Sequence, residues 1–316
     1  MALFALTVSA APAKATRING TDYMRLSDWA NANSVGWGWI KRDSTVYATN
    51  RSTKCLLIAN SREARVNNVQ VWLLFPLINR SGTLYISRLD TTTTLQPLFS
   101  PPRNAAGKKV KTICIDPGHG GKDPGNRVGK QFEKEYTLRL ARELRDQLTK
   151  AGFTVILTRS GDAFLELESR PAIAKQRKAD LFISLHFNAV ANSSSTAKGT
   201  ETFVLTPAGA RSTAAPSSGP IASNEPGNRF NAQNMLLAYE IQKTLVRGLK
   251  VNDRGVRRAR FAVLRDAAMP AVLIEGGFLS HPTEGKRILD AAYRQDMAKS
   301  IAAGIVAYKH TVEGVN

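Results

Sequence analysis

The spacing of apolar residues changes along the chain, and the change divides it. From 17 to 98 they come in short runs, at 45–48, 55–59, 69–75 and 84–89, broken by Asn67-Asn68, Asn79 and Ser81-Gly82. Runs of this length bounded by turn residues predict strands joined by tight turns. Tyr23, Leu26, Trp29 and Ala30 fall close to helical spacing and predict one short helix over 23–31. Residues 17–98 therefore read as a small β-rich α+β domain. Pro101-Pro102 and the Gly107 turn mark a linker over 99–109.

From 110 to 311 apolar runs alternate with helix-length amphipathic segments. Strands are predicted at 112–116, 154–158, 181–185, 201–205, 261–264 and 272–275, and helices at 136–151, 167–178, 232–249 and 292–309. This alternation predicts an α/β domain, a mostly parallel open sheet flanked by helices. Residues 206–229, rich in Ser, Pro, Gly and Ala, read as a long surface loop, and loops of that length are usually functional.

Composition adds limits. No apolar stretch approaches the roughly 20 residues that span a bilayer. Residues 1–16 are apolar and rich in small side chains, with Val8-Ser9-Ala10 and Ala13-Lys14-Ala15 as cleavage-like triplets. Without a basic leader they read as a short signal peptide or a disordered start, and the first reading points to export. Cys55 and Cys114 each lie in an apolar run and read as separate buried thiols. The net charge is +19, with 12 Lys/Arg against 5 Asp/Glu up to residue 107 and 32 against 20 beyond it. So basic a chain concentrates polyanions around itself. Nucleic acid, anionic envelope polymers and lipid headgroups are all such partners; no recognisable nucleic-acid module accompanies the charge, and charge alone decides little among them. The basic groups at Arg254, Arg257, Arg258, Arg260 and at Arg170, Lys175, Arg177, Lys178 read as solvated surface or as the contact to such polymers.

The chemistry gathers where strands end. His119 follows Ile113-Cys114-Ile115-Asp116-Pro117-Gly118, His186 follows Leu181-Phe182-Ile183-Ser184-Leu185, and Glu275 closes Val272-Leu273-Ile274. Reacting groups in open α/β sheets collect at the carboxyl ends of strands. Two histidines there suggest a hydrolytic zinc, which takes about three protein ligands and leaves one position open. The third should be a carboxylate or histidine brought near by the turn after the first strand, and the start of the 136–151 helix offers carboxylates. Glu133 and Glu135 compete for it, and either could instead favour the helix dipole. Gly118, Gly120 and Gly121 let the chain turn sharply off the strand around His119. Asp116 could brace His119 or its loop from behind the ligands. Glu275 could serve as a proton carrier or pair with an arginine. His281 reads as a loop histidine before the turn at Pro282, and His310 as part of a frayed C-terminal end.

Taken together, Ile115-Asp116-Pro117-Gly118-His119-Gly120-Gly121, Asp123-Pro124-Gly125, Glu133-Lys134, Thr158-Arg159, Ser184-Leu185-His186-Phe187-Asn188-Ala189, Val263-Leu264-Arg265, Met269-Pro270-Ala271 and Ile274-Glu275-Gly276-Gly277-Phe278-Leu279-Ser280 follow one another in a known order. Residues 111–309 so resemble the catalytic domain of zinc-dependent N-acetylmuramoyl-L-alanine amidases of the amidase_3 family. The resemblance implies one Zn2+ held by His119, Glu133 and His186, with Glu275 as the catalytic glutamate, and it selects Glu133 over Glu135. It implies a peptidoglycan hydrolase of cell-wall remodelling or daughter-cell separation, some of which need an activator protein. Two positions depart from the pattern: Gly276 stands where a larger apolar residue is common, and His281 where asparagine is frequent. Residues 17–98 resemble the small N-terminal domain of copper amine oxidases, although no histidine precedes His119 and so no copper site is implied.

Overall fold

The computed structural model describes residues 15–190, 196–214 and 219–315. Most of the 1–16 segment read as a signal peptide lies outside the described residues. The accessory region opens with β1 (Thr16–Ile18), β2 (Thr21–Arg25) and α1 (Leu26–Ala32). A meander follows: β3 (Gly36–Lys41), β4 (Thr45–Thr49), β5 (Lys54–Ile58), β6 (Glu63–Val66) and β7 (Val69–Trp72). The region ends with β8 (Ile78–Arg80) and β9 (Thr83–Ser87). The helix predicted over 23–31 begins only at Leu26. Tyr23 instead pairs with Ser87 in a sheet ordered β1-β2-β9-β8, where neighbouring strands override the local periodicity. A helical segment closes the region, formed by α2 (Arg88–Asp90), a π turn over Thr91–Leu95 and α3 (Gln96–Phe99). Ser87 caps it by accepting a bond from the Asp90 amide.

The second region contains β10 (Thr112–Pro117), a small hairpin of β11 (Arg127–Val128) and β12 (Gln131–Phe132), α4 (Glu133–Lys150), β13 (Thr154–Leu157) and α5 (Ser169–Gln176). It continues through β14 (Leu181–Asn188), β15 (Thr200–Leu205), α6 (Asn231–Leu249), β16 (Asp253–Ala259), α7 (Ala262–Arg265), β17 (Ala271–Phe278), α8 (Pro282–Leu289) and α9 (Ala291–Glu313). The strand predicted at 261–264 is helix α7, and the strand lies just before it as β16. That strand was hidden because Arg257 and Arg258 occupy it, one on each face.

One sheet of eleven strands crosses both regions, in the order β13-β10-β14-β17-β15-β16-β7-β6-β5-β4-β3. From β10 to β17 this sheet is parallel except where β15 meets β17 antiparallel. The accessory meander joins through β7, which runs parallel to β16 with Val71 opposite Val256. One continuous apolar core follows, from Leu26, Val46 and Leu57 to Leu144, Ile241 and Ile305. A second core on the opposite face holds Cys114, Phe182, Phe203 and Leu273 beneath α5 and α7. Cys55 and Cys114 are buried free thiols, both pushed up to about 12 by burial. Of the 206–229 loop, 215–218 lie outside the described residues. The rest folds back on itself through Gly209–Ala222 and Ala222–Ala210 backbone bonds and ends in a 3-10 turn, Pro226–Phe230.

Two buried arginines tie the fold together. Arg258 is fully buried and donates to the Thr93 carbonyl at 2.7 Å and to Thr94 Oγ1 at 3.0 Å, linking β16 to the π turn. Burial lowers it to about 10, and the neighbouring Asp90 carboxylate opposes that shift. Arg170 is buried on α5. Neither belongs to a solvated basic surface, as the sequence had suggested for their groups. Arg260 pairs with Glu225 at 3.4 Å.

A candidate metal centre at the strand tips

The site begins where β10 ends. His119 takes a left-handed backbone, φ 63°, which a side-chain-bearing residue adopts only when its surroundings enforce it. Two arginines do so by holding the carbonyls of the turn. Arg159 donates to Pro117 and Gly118 at 3.0 and 2.8 Å, and Arg170 to Pro117 and His119 at 3.0 and 2.9 Å. Asp116 anchors this frame rather than the imidazole. It accepts from Arg170 at 2.8 Å, Thr158 at 2.6 Å and Ser184 at 2.8 Å. The carboxylate on His119 Nδ1 is Asp123, at 2.8 Å.

Glu133 is the first residue of α4 and is 1% exposed. Its Oε2 lies 3.1 Å from His119 Nε2 and its Oε1 3.1 Å from His186 Nδ1. Amides fix both oxygens: Phe187 N donates to Oε1 at 3.0 Å, while Asn126 N and Nδ2 donate to Oε2 at 2.9 Å. Asn126 also donates to the Phe187 carbonyl at 2.9 Å, so the loop before α4 is bonded to the end of β14. Burial would raise the Glu133 carboxyl, but bonds and charge from His119 and His186 outweigh it and hold the group well below its usual range. Burial likewise works against a charged His119, and Glu133 and Asp123 together raise it.

These three side chains suit a metal ion. One ligand atom from each of His119, Glu133 and His186 falls within 4.8 Å of the others. Two imidazoles and one carboxylate are the donor set of a hydrolytic divalent centre. Two glycines make room for it. A Cβ on Gly118 would stand 2.2 Å from the His186 ring, and one on Gly125 would stand 2.5 Å from His119 and 2.8 Å from Glu133. Glu135, the sequence competitor, sits in the same first turn outside the cluster.

Glu275 lies one strand away, opposite His186 in the β14–β17 register and opposite Glu201 in the β15–β17 register. Partners in adjacent strands share a face of the sheet, so Glu275 stands between these two polar side chains. Part of the residue is accessible, but its Oε2 is buried and has no hydrogen-bond partner among the described residues. Burial raises the Glu275 carboxyl well above its usual range, and the charges of Glu133 and Glu201 push the same way. Among the described residues no arginine pairs with it; Arg254 and Arg257 turn to Glu201. Behind Glu275, the space a side chain at Gly276 would need is filled by Phe187 and Met297.

Sequence reasoning placed the ligand candidates but missed their supports. Asp123 and Arg159 entered only as members of quoted motifs, Arg170 only as one of a basic group on a predicted helix, Glu201 only at the start of a predicted strand, and Asn126 carried no signal. His281 caps α8, its Nδ1 accepting from the Glu284 amide at 3.2 Å, away from the cluster. His310 is an exposed residue inside α9 rather than in a frayed end.

The family model described as Amidase_3: N-acetylmuramoyl-L-alanine amidase matches residues 113–307. The chain is 36% identical over 234 residues to N-acetylmuramoyl-L-alanine amidase AmiC of Neisseria meningitidis, covering 67% of this chain and 55% of that protein. It is 34% identical over 198 residues to the LytC amidase of Bacillus subtilis, covering 63% of this chain and 35% of that one. The chain thus spans about half or less of the length of these relatives. A crystal structure of N-acetylmuramoyl-L-alanine amidase from Clostridium difficile superposes with a TM-score of 0.52 at 33% identity, covering 64% of this chain and 97% of that one. The matched span contains every residue of the strand-tip cluster and Glu275, and the chain belongs to the N-acetylmuramoyl-L-alanine amidase family.

Proposed function

We propose that this protein is a zinc-dependent N-acetylmuramoyl-L-alanine amidase, cleaving the amide that joins N-acetylmuramic acid to the L-alanine of the peptidoglycan stem peptide. The observation that carries the reading is the His119–Glu133–His186 cluster, built around the buried Glu133, one strand from Glu275, whose Oε2 has no hydrogen-bond partner among the described residues. In this reading those three residues hold the zinc. Zinc, when bound, lowers the pKa of water and polarises the amide carbonyl.

The chain supplies the rest of the chemistry. Asp123 on His119 Nδ1 fixes which ring nitrogen faces the centre, and the Asn126 and Phe187 amides fix the Glu133 carboxylate. Glu275 accepts a proton from the attacking water and returns it to the departing alanine nitrogen. A carboxyl whose affinity for protons is raised suits both halves of that exchange near neutral pH. Because the substrate lies outside the cytoplasm, the reading includes export to the periplasm or envelope, with the apolar start of the chain as the address. Among the described residues no helix is long and apolar enough to cross a membrane.

Metal analysis of the purified chain, together with mass analysis of the products released from sacculi, tests the proposal. The expected result is about one zinc per chain and release of intact stem peptide from intact glycan. Cleavage within the peptide would identify a different zinc hydrolase, and binding without release would identify a wall-binding protein.

A further inference from the structure

Two guanidinium groups meet a single carboxylate one strand from Glu275. Glu201, the register partner of Glu275, accepts from Asn188 Nδ2 on Oε1 at 2.7 Å. Its Oε2 lies 3.2 Å from Arg254 Nε and 2.9 Å from Arg257 Nε. Arg62, from the accessory region, adds a third positive charge that acts on Arg257, and its Nη2 donates to the Thr213 carbonyl at 3.1 Å. Asp90, the carboxylate that also acts on Arg62, is itself opposed by the buried Arg258.

An ion pair that only staples β15 to β16 would need one arginine for Glu201, and two are present with a third close by. Arg254 and Arg257 both turn Nε to Glu201, and their terminal nitrogens donate no hydrogen bond to any described residue. The side chains remain 31% and 19% exposed, so a ligand can reach them. The planar end of a guanidinium matches a carboxylate with two parallel bonds.

The accessory meander holds this cluster in place. Val71 opposite Val256 brings Trp72 beside Arg257 on the face that carries Glu201 and Glu275. The Arg257 guanidinium lies 5.0 Å from the Trp72 ring, and Trp72 Nε1 donates to the Arg254 carbonyl at 2.9 Å. Phe278 supports Arg254 in the same way, at 4.8 Å.

We infer that Arg254 and Arg257 form a subsite for a carboxylate on the peptide side of the scissile amide, and that Trp72 positions it. The accessory region is then a wall of the substrate cleft. The inference rests on the amidase reading, since stem peptides carry free carboxylates close to the L-alanine.

The test uses the full chain and two soluble muramoyl-peptides, one with free stem carboxylates and one with those groups amidated. The wild type is expected to prefer the acid about 10- to 100-fold in kcat/KM, mainly through KM, as charged hydrogen bonds of this kind would give. In Arg254→Gln/Arg257→Gln the preference ratio should fall toward one. Trp72→Ala should lower it several-fold with kcat little changed, and Trp72→Phe, which keeps the ring, should recover part of it. Equal wild-type kcat/KM for acid and amide, or a ratio unchanged in the double variant, overturns the subsite. Equilibrium binding of the free acid peptide and its amide to the wild type separates the two readings. Carboxylate-dependent binding without turnover of either substrate would retain the subsite and defeat the hydrolase, whereas turnover without any such dependence would do the reverse.

Discussion

Glu275 on β17 stands directly opposite Glu201 on β15, yet both β16 arginines nearby turn to Glu201 and none to Glu275. Two carboxylates side by side are thus set apart by their surroundings. Glu201 is paired with its arginines, while Oε2 of Glu275 is buried and without a hydrogen-bond partner among the described residues. This division of labour is what a general acid–base residue needs.

Glu275→Gln should therefore retain metal and lose hydrolysis by about 10²–10⁴-fold, the usual worth of a positioned acid–base group. Metal content and turnover measured on one preparation check this, and near-normal turnover would remove Glu275 from the mechanism.

The same substitution has a pH signature in chelator-treated protein. A carboxyl raised in the folded state adds stability only while it is protonated, below the unfolded value of about 4.3, and that stability is lost as pH rises through the raised folded value. Glu275→Gln should accordingly stabilise the metal-free chain near neutral pH, by on the order of 1 kcal/mol, and the gain should vanish below about pH 4. Glu133 has the opposite sign. Its depressed value adds stability above the ordinary range that is lost as pH falls through it, so Glu133→Gln should cost the metal-free chain most at neutral pH. Urea titrations across pH read both.

Asp123→Ala should weaken metal binding about 10–100-fold, because His119 loses the carboxylate that orients its ring. Asp116→Ala acts elsewhere. Removing it leaves Arg170 as a buried unpaired charge behind the His119 turn, and the fold itself should lose about 3–5 kcal/mol. Competition with a chromogenic chelator separates the first effect from the second, which appears in the melting temperature.

Gly118→Ala should disturb the centre without touching a ligand, since the added Cβ would lie 2.2 Å from the His186 ring. Overpacking of this kind costs about 1–3 kcal/mol, here directed at His186, so metal affinity should drop along with stability. Unchanged metal affinity in Gly118→Ala would show that the His186 ring can move aside at little cost.

The β7–β16 pairing and the buried Arg258 join residues 16–99 to the rest of the chain, so the two regions should unfold as one unit. Arg258→Ala removes the donors to Thr93 and Thr94 and leaves Asp90 with less opposing charge, and a loss of about 3–5 kcal/mol is expected. A single unfolding transition in the wild type, followed by both near-UV signal and metal release, would accompany it.

What the sequence by itself determined was local. Apolar alternation gave the α/β class, and Gly118, Gly120 and Gly121 around His119 announced a sharp strand-end turn. The ordered motifs from Ile115 to Ser280 carried the family resemblance, which implies the ligand set and the role of Glu275. The sequence was misleading where side chains answered to distant partners. Arg170, Arg257 and Arg258 looked like solvated charge, yet Arg170 and Arg258 are buried against carbonyls and carboxylates far along the chain, and β16 was hidden by the latter two. Residues 17–98 read as a separate module because each of its strands closes locally. Only the β7–β16 pairing, between residues 185 positions apart at Val71 and Val256, made it part of the main sheet and brought Trp72 to the site. Periodicity is written by each residue's own neighbours along the chain, whereas register between distant strands and the pairing of buried charge are settled only when the whole core closes.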